Sequence, residues 1–172
     1  IHAFGNVGKN VAEISRGFGM TIYAFDPVVA DNVITASGAK VCRRVEELYS
    51  SCQYVSLNLP ANSKTAGSIN YNLLVNMPIN AVLVNTARKE IINEDDLLRI
   101  FEDRSDFRYL SDIEPGCKSV FEEKYKGRYL FTSKKMGAQT KEANINAGIA
   151  AARQIVDYFK TGNERFRVNK QK

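Results

Sequence analysis

The sequence offers one histidine, three cysteines and no apolar run long enough to cross a bilayer. Each shortage excludes something. A spanning helix needs about 20 consecutive apolar residues, and no such run or signal peptide is visible. Cys42, Cys52 and Cys117 are odd in number and lack metal-ligand spacing. They read as reduced thiols of a cytoplasmic protein, and no metal site is expected. The one histidine, His2, lies in the first predicted strand and reads as a core or structural residue. Positive charge is modest at a net +5, with basic and acidic residues interleaved. Only Arg43-Arg44, Lys134-Lys135 and the stretch from Arg165 to Lys172 are locally basic. That pattern argues against nucleic acid and suits anionic metabolites. There is no repeat, linker or low-complexity segment.

What is present is an ordinary globular composition, with 44% hydrophobic and 25% charged residues over 172 positions. The apolar runs alternate strand-like and helix-like from end to end. That alternation predicts an α/β fold, a doubly wound parallel sheet with helices on both faces. Predicted strands cover Ile1 to Phe4, Met20 to Phe25, Lys40 to Cys42, Tyr54 to Leu59, Ala81 to Thr86, Arg108 to Ser111 and Arg128 to Thr132. The first helix spans Val7 to Phe18, with Val7, Val11, Ile14 and Phe18 on its apolar stripe. Further helices run over Val45 to Cys52, Asn70 to Met77 and from Asn93 to Glu102. Val28 to Gly38 reads as a loop or short helix, and Pro115 to Gly127 as irregular or with one helical turn. Ala138 or Thr140 opens a long final helix to Lys160, stopped by Gly162.

The opening stretch organises the rest. Ile1-His2-Ala3-Phe4 runs into Gly5-Asn6-Val7-Gly8, a strand–turn–helix start. Gly5 lets backbone approach a pyrophosphate, and Gly8 lets the helix pack closely on its strand. The helix N-terminus offers N–H groups and positive dipole to phosphate. Ala3 stands where the usual first glycine belongs, which is tolerable if that position keeps a negative φ. Such turns also open methyltransferases and ordinary βα units. Asp26 ends the second strand 18 residues after Gly8. A carboxylate there accepts from ribose hydroxyls and repels a 2′-phosphate, favouring NAD over NADP. A solvated strand-end aspartate is the plainer alternative.

Several blocks then resemble the D-isomer-specific 2-hydroxyacid dehydrogenases. They are Gly5-Asn6-Val7-Gly8, Val55 to Pro60, Lys64 to Ile69, Val82-Leu83-Val84-Asn85-Thr86-Ala87-Arg88, Ser111-Asp112 and Gly137-Ala138-Gln139-Thr140. They come in family order along the whole chain. The resemblance implies that Leu59 and Pro60 pack near adenine and ribose, with Thr65 in the loop that follows. It implies that Thr86, Ala87 and Arg88 pass the nicotinamide, that Asp112 holds its carboxamide or ring edge, and that Gly137 borders the cofactor. It also implies that Arg88 binds the carboxylate of a 2-keto acid with a two-pronged guanidinium. On residue type alone, Arg88 is a surface arginine opening a loop. Lys89 replaces a glycine common in the family.

The departure from the family lies at the acid–base residue. The family uses a histidine in a Thr-Pro-His-x-Gly-type segment, steadied by a glutamate. Here that segment reads Thr132-Ser133-Lys134-Lys135-Met136-Gly137, and His2 is far from it in sequence. A lysine can exchange the proton if burial or a nearby cation lowers its pKa. Lys135 is the first candidate and Lys134 the second. Two solvated lysines in a catalytically dead protein are the alternative. Glu114, beside Pro115, is the candidate orienting glutamate, although it sits closer to Asp112 than the family spacing has it.

The resemblance implies NAD-dependent oxidation of 3-phospho-D-glycerate to 3-phosphohydroxypyruvate, the entry to serine synthesis, by a cytoplasmic homodimer. Residues 1–160 read as the NAD-binding domain and 161–172 as a tail returning to a substrate domain. That domain is expected to precede a chain that starts inside its first strand, and no C-terminal regulatory domain is expected. A glyoxylate or hydroxypyruvate reductase, or an enzyme like D-lactate dehydrogenase, shares the same residues. From another class, the chain reads as an NAD-responsive binding module of the corepressor type.

Overall fold

The computed structural model describes residues 1–135 and 140–169. It divides into two compact units, Ile1–Lys134 and Lys135–Lys172. The first contains α1 (Asn6–Gly17), β1 (Tyr23–Ala24), α2 (Asp31–Ala36), β2 (Lys40–Val41), α3 (Val45–Ser51), β3 (Tyr54–Leu57) and α4 (Tyr71–Leu74). It continues through β4 (Val82–Asn85), α5 (Glu94–Asp103), β5 (Arg108–Ser111), α6 (Lys118–Lys124) and β6 (Tyr129–Phe131). A 3-10 turn, Lys89–Ile91, precedes α5.

All strand pairs are parallel. The order is β3-β4-β5-β6 in one sheet and β1-β2 in the other. The chain opening joins them, though as bridges rather than as the regular strand expected over Ile1 to Phe4. His2 pairs with Phe25 on one side and Leu57 on the other. Its N–H donates to Ser56 and its carbonyl accepts from Asn58. The combined order is β2, β1, opening segment, β3, β4, β5, β6. The chain leaves its centre first in one direction and then in the other, as a doubly wound sheet does, and this creates a switch point beside the opening segment.

Successive residues of β1 feed opposite faces. Ala24 joins a small core with Ile1, Phe4, Ala12, Ile22 and Ile34. Tyr23 and Phe25 pack against a larger core under α3 to α6, which holds Leu57, Leu83, Ile100, Phe101 and Phe121. The ladders are shorter than the apolar runs predicted. Met20 to Phe25 pairs regularly only over Tyr23–Ala24, because the two-residue β2 offers no longer edge. Pro115 to Gly127 holds more helix than the single turn expected there, since α6 runs for 7 residues.

Two expectations about the first turn need correction. Ala3 does not keep a negative φ; it adopts +72°. That region places Cβ against the following carbonyl and costs roughly 1–2 kcal/mol. The buried side of α1 is also not the predicted stripe, because Val7, Ile14 and Phe18 are exposed. Gly8 and Ala12 face the sheet instead. The reason is spacing: a Cβ on Gly8 would lie 2.3 Å from the Ala3 carbonyl oxygen. A helix that close admits only small residues on its inner side.

Ala3→Gly should therefore stabilise the protein. Relief of the left-handed strain outweighs the extra freedom glycine gives the unfolded chain. A net gain of roughly 0.5–1 kcal/mol would raise Tm by about 1–4 °C in a chain of this size. Calorimetry checks it; a fall in Tm would show that the Ala3 methyl, which touches the larger core, matters more than its backbone.

The second unit is dominated by α7 (Lys141–Thr161). Thr140 caps it by accepting from the Ala143 N–H. Gly162 ends it at φ 73° and donates to Tyr158. No residue of α7 is buried. The segment beyond it folds back through Asn163 to Asp157 and Arg167 to Glu164. Among the described residues, no helix is long and apolar enough to cross a membrane.

Candidate functional site

The carboxyl ends of the strands carry most of the predicted residues. Beyond the opening segment lies the glycine turn. Gly5 caps α1 in an extended conformation, with no side chain serving the helix end. The first-turn N–H groups of α1 have no partner within the helix. A Cβ built on Gly5 would meet nothing within 4 Å. The turn thus presents bare backbone and open space at a positive helix end, which fits a bound diphosphate. Asn6 and Val7 are exposed beside it, and Gly8 is buried.

Asp26 stands at the end of β1 and holds this turn together. One oxygen accepts from the Phe4 N–H at 2.7 Å, the other from Val28 and Val29 at 2.8 and 3.0 Å. Partial burial pushes its pKa up, but these three donors, aided by His2, outweigh that and hold the carboxyl below its ordinary value. Asp26 is therefore more than a solvated strand end. It stays ionised and is fixed in place, with about one lone-pair site left to accept a ribose hydroxyl.

His2 is the core residue expected. It is buried, its Nδ1 lies 3.1 Å from the Tyr49 hydroxyl, and burial lowers its pKa to about 4.

After β3, Leu59 is buried and Pro60 exposed. The Thr65 hydroxyl donates to the Pro60 carbonyl at 2.6 Å and accepts from the Asn62 N–H at 2.9 Å. Thr65 thus shapes the loop that carries Pro60. After β4, Thr86 and Arg88 are exposed and Ala87 is buried. This turn is clipped from below by Asn85, whose side chain accepts from Ala87 and donates to the Arg88 carbonyl. The Arg88 guanidinium lies back on the Ala87 carbonyl at 2.8 Å, so its side chain must swing out to hold an anion. After β5, the Asp112 N–H donates to the Asn85 carbonyl at 3.3 Å. The Gly turn, Asp26, Pro60, Arg88 and Asp112 therefore gather on one edge of the sheet.

The acid–base candidates divide differently. Lys134 is exposed and closes the first unit; Lys135 is half-buried and opens the second. Gly137 lies outside the described residues. Glu114 is engaged elsewhere: its carboxylate accepts from Lys118 at 2.8 Å, an i,i+4 pair at the start of α6. That contact favours an ordinary loop residue over an orienting group. Among the described residues no cluster could hold a metal ion. A cleft of about 490 Å³ beside Val11, Ser15, Tyr23 and Tyr54 touches the predicted site residues only at Thr86.

Two contributors were not assigned a role from sequence. Asn85 sat inside a recognisable block, and its signal was a polar residue in an apolar strand. Glu94 gave none. Its oxygens accept from Gly116 and Cys117 at 2.8 and 2.9 Å, fixing the loop between Asp112 and α6 from 22 residues away.

A doubly wound parallel sheet with a bare glycine turn and a fixed strand-end carboxylate defines a dinucleotide-binding domain. The chain belongs to the D-isomer specific 2-hydroxyacid dehydrogenases: the family model for their NAD binding domain matches residues 1–116. NAD is accordingly its cofactor. It is similar to D-3-phosphoglycerate dehydrogenase of Haemophilus influenzae, 27% identical over 98% of this chain and 42% of that protein. The human enzyme of the same name is 28% identical over 93% of this chain and 30% of its own length. Among solved structures, NAD+-bound 3-phosphoglycerate dehydrogenase of Entamoeba histolytica superposes with a TM-score of 0.85 and 44% identity. That match covers 98% of this chain and 53% of the other. A glycerate dehydrogenase related protein of Thermoplasma acidophilum shares the fold, with a TM-score of 0.72 and 23% identity over 90% of this chain and 54% of the other. The chain thus spans about half, or less, of the length of these relatives.

Proposed function

We propose that this chain is the cofactor-binding and catalytic part of an enzyme oxidising 3-phospho-D-glycerate to 3-phosphohydroxypyruvate in serine synthesis. The observation that carries this is the arginine turn. Asn85 holds Arg88 at the carboxyl end of β4, two strands from the glycine turn, where a 2-keto acid would lie beside bound nicotinamide. The 44% identity to a 3-phosphoglycerate dehydrogenase supports the choice of substrate within the family.

In this reading Gly5 to Gly8 take the diphosphate and Asp26 the ribose. Leu59 and Pro60 border the adenosine, and Thr86, Ala87 and Asp112 the nicotinamide. When bound, NAD supplies the hydride acceptor. Arg88 holds the substrate carboxylate and orients C2. The Lys135 amine takes the proton from the C2 hydroxyl. Lys135 is preferred over Lys134 because it is the more shielded of the two. All three cysteines are free thiols, which supports a cytoplasmic location. We extend the reading to a homodimer formed through this domain. The competing reading is an NAD-responsive binding module, favoured by the burial of His2, which leaves no histidine for proton transfer.

The test follows NADH absorbance in the whole protein that carries this chain, with 3-phosphohydroxypyruvate, glyoxylate and pyruvate as substrates. The phosphorylated acid should be preferred at least about tenfold. Lys135→Ala should lower its turnover by about 100-fold or more, as loss of a general acid does, and Lys134→Ala much less. Failure to turn over any of the three acids, with NADH still bound, would leave the binding module in front.

A further inference from the structure

We propose that Tyr109 and Asn85 are a buried positioning pair that ties the Arg88 loop to the Asp112 loop and sets how tightly the domain holds the nicotinamide half of its cofactor. The proposal rests on the reading above, which places nicotinamide between those loops.

Asn85 and Ser111 are register partners at the ends of β4 and β5. Asn85, Tyr109 and Ser111 are only 2%, 1% and 6% exposed. Polar groups buried in an apolar layer destabilise a fold unless they are hydrogen-bonded. Here Asn85 bonds to Tyr109 and to the Arg88 turn, and Ser111 to the loop that follows Asp112. The Asn85 amide nitrogen donates to the Tyr109 hydroxyl at 3.2 Å and to the Arg88 carbonyl at 3.0 Å. Its amide oxygen accepts from the Ala87 N–H at 3.0 Å. On the other strand, Tyr109 and Ser111 lie on the same buried face of β5. The Ser111 hydroxyl accepts from the Ile113 N–H at 3.2 Å, just past Asp112. Through the Tyr109 hydroxyl β5 therefore grips the Asn85 amide that holds the Arg88 turn, while the Asn85 carbonyl accepts from the Asp112 N–H at 3.3 Å, so Asn85 serves both loops. Networks of this kind specify a single arrangement when every member is satisfied.

The adenosine side is held by other means. Asp26 bonds Phe4, Val28 and Val29, and none of these reaches the Tyr109 network. Loss of the Tyr109 hydroxyl should therefore act on one end of the cofactor alone. The ring itself is packed by Phe131 and Phe121, at centroid distances of 5.6 and 6.5 Å. Tyr109→Phe keeps that packing and removes only the bridge.

The experiment titrates the full chain and Tyr109→Phe with NADH and, separately, with ADP-ribose, which lacks nicotinamide. Calorimetric Kd values and Tm are recorded for both. The expected result is a Kd for NADH raised about fivefold to tenfold, with ADP-ribose affinity unchanged within about twofold. A merely structural role would weaken both ligands together or neither, and either result overturns the pair. If Tyr109→Phe does not fold, Asn85→Ala removes the other partner of the pair and is judged by the same split. A parent chain that binds neither ligand overturns the cofactor placement and this proposal with it. A parent that binds both, with no split in the variants, overturns the positioning pair alone.

Discussion

Gly8→Ala is expected to destabilise the protein by about 3 kcal/mol or more and to abolish measurable NAD binding, whereas Gly5→Ala is expected to leave the fold nearly untouched and weaken NAD binding alone. The two glycines sit three residues apart in one turn, but they face different neighbours. A Cβ on Gly8 would stand 2.3 Å from the Ala3 oxygen and 3.3 Å from Ile1 Cγ2. The first is backbone, already fixed by the Ala3 N–H donating to Phe25, so it cannot turn aside as a side chain would. Helix α1 must back away by about 1 Å, which opens the small core under Ala12 and shifts the helix end. Overpacking of this kind costs about 1–3 kcal/mol and more where the clash is rigid. A Cβ on Gly5 meets no protein atom within 4 Å, and its φ of −71° suits any residue. It would instead project into the space read as the diphosphate site. Thermal melts and NADH titrations of both variants separate the two roles. Equal stability loss in both would mean that the turn is not built on this close approach, and unchanged NADH affinity in Gly5→Ala would move the diphosphate elsewhere.

The same close approach explains what the sequence hid. Hydrophobic periodicity favours the bulky residues of α1, so it selects Val7, Ile14 and Phe18, all of which are exposed. Tight helix–sheet packing selects for smallness instead, and Gly8 and Ala12 carry no hydrophobic signal. Where a helix packs at ordinary distance the pattern was legible: Leu97, Ile100 and Phe101 of α5 are buried, and Asn93 caps that helix as its sequence suggests, accepting from the Asp96 N–H. Helix α6 is longer than the one turn legible in its sequence, because no local side chain caps it. Glu94 serves the loop that leads into it from another helix, and a contact that distant leaves no spacing to read. The site divides in the same way. The glycine turn, Asp26 and the strand ends were readable, because parallel sheets put their chemistry at carboxyl ends. Asn85 was quoted within a block but given no work, since its function depends on Tyr109, 24 residues away across a ladder. Counted back from Gly137 the family's histidine position falls on Lys135, and counted forward from Thr132 it falls on Lys134, so their order stays open, and residues 136–139 lie outside those described.

Under the proposed reading, Arg88→Ala should lower kcat/KM for 3-phosphohydroxypyruvate by about 100-fold to 1,000-fold, and Arg88→Lys should recover little of it. A carboxylate held by a guanidinium fork gains two parallel charge-assisted hydrogen bonds, and removing one partner of such a pair costs about 2–5 kcal/mol. Lysine restores the charge but not the fork, so the substrate would be attracted without C2 being oriented. The local structure makes the variant informative. Asn85 grips the backbone carbonyl of Arg88 and the N–H of Ala87, not the guanidinium. Among the described residues, the Arg88 side chain donates to the Ala87 carbonyl at 2.8 Å, and it is exposed. Truncation should therefore change stability by only about 0.5 kcal/mol, within the range of surface changes. NADH affinity should likewise stay within a fewfold, because the turn that passes the nicotinamide keeps its clips. Large loss of turnover with stability and NADH binding retained would give Arg88 the substrate role. An Arg88→Ala protein that still reduced the phosphorylated keto acid at near-parent rates would show that the carboxylate is held elsewhere, and the arginine would revert to the surface residue its type alone suggests.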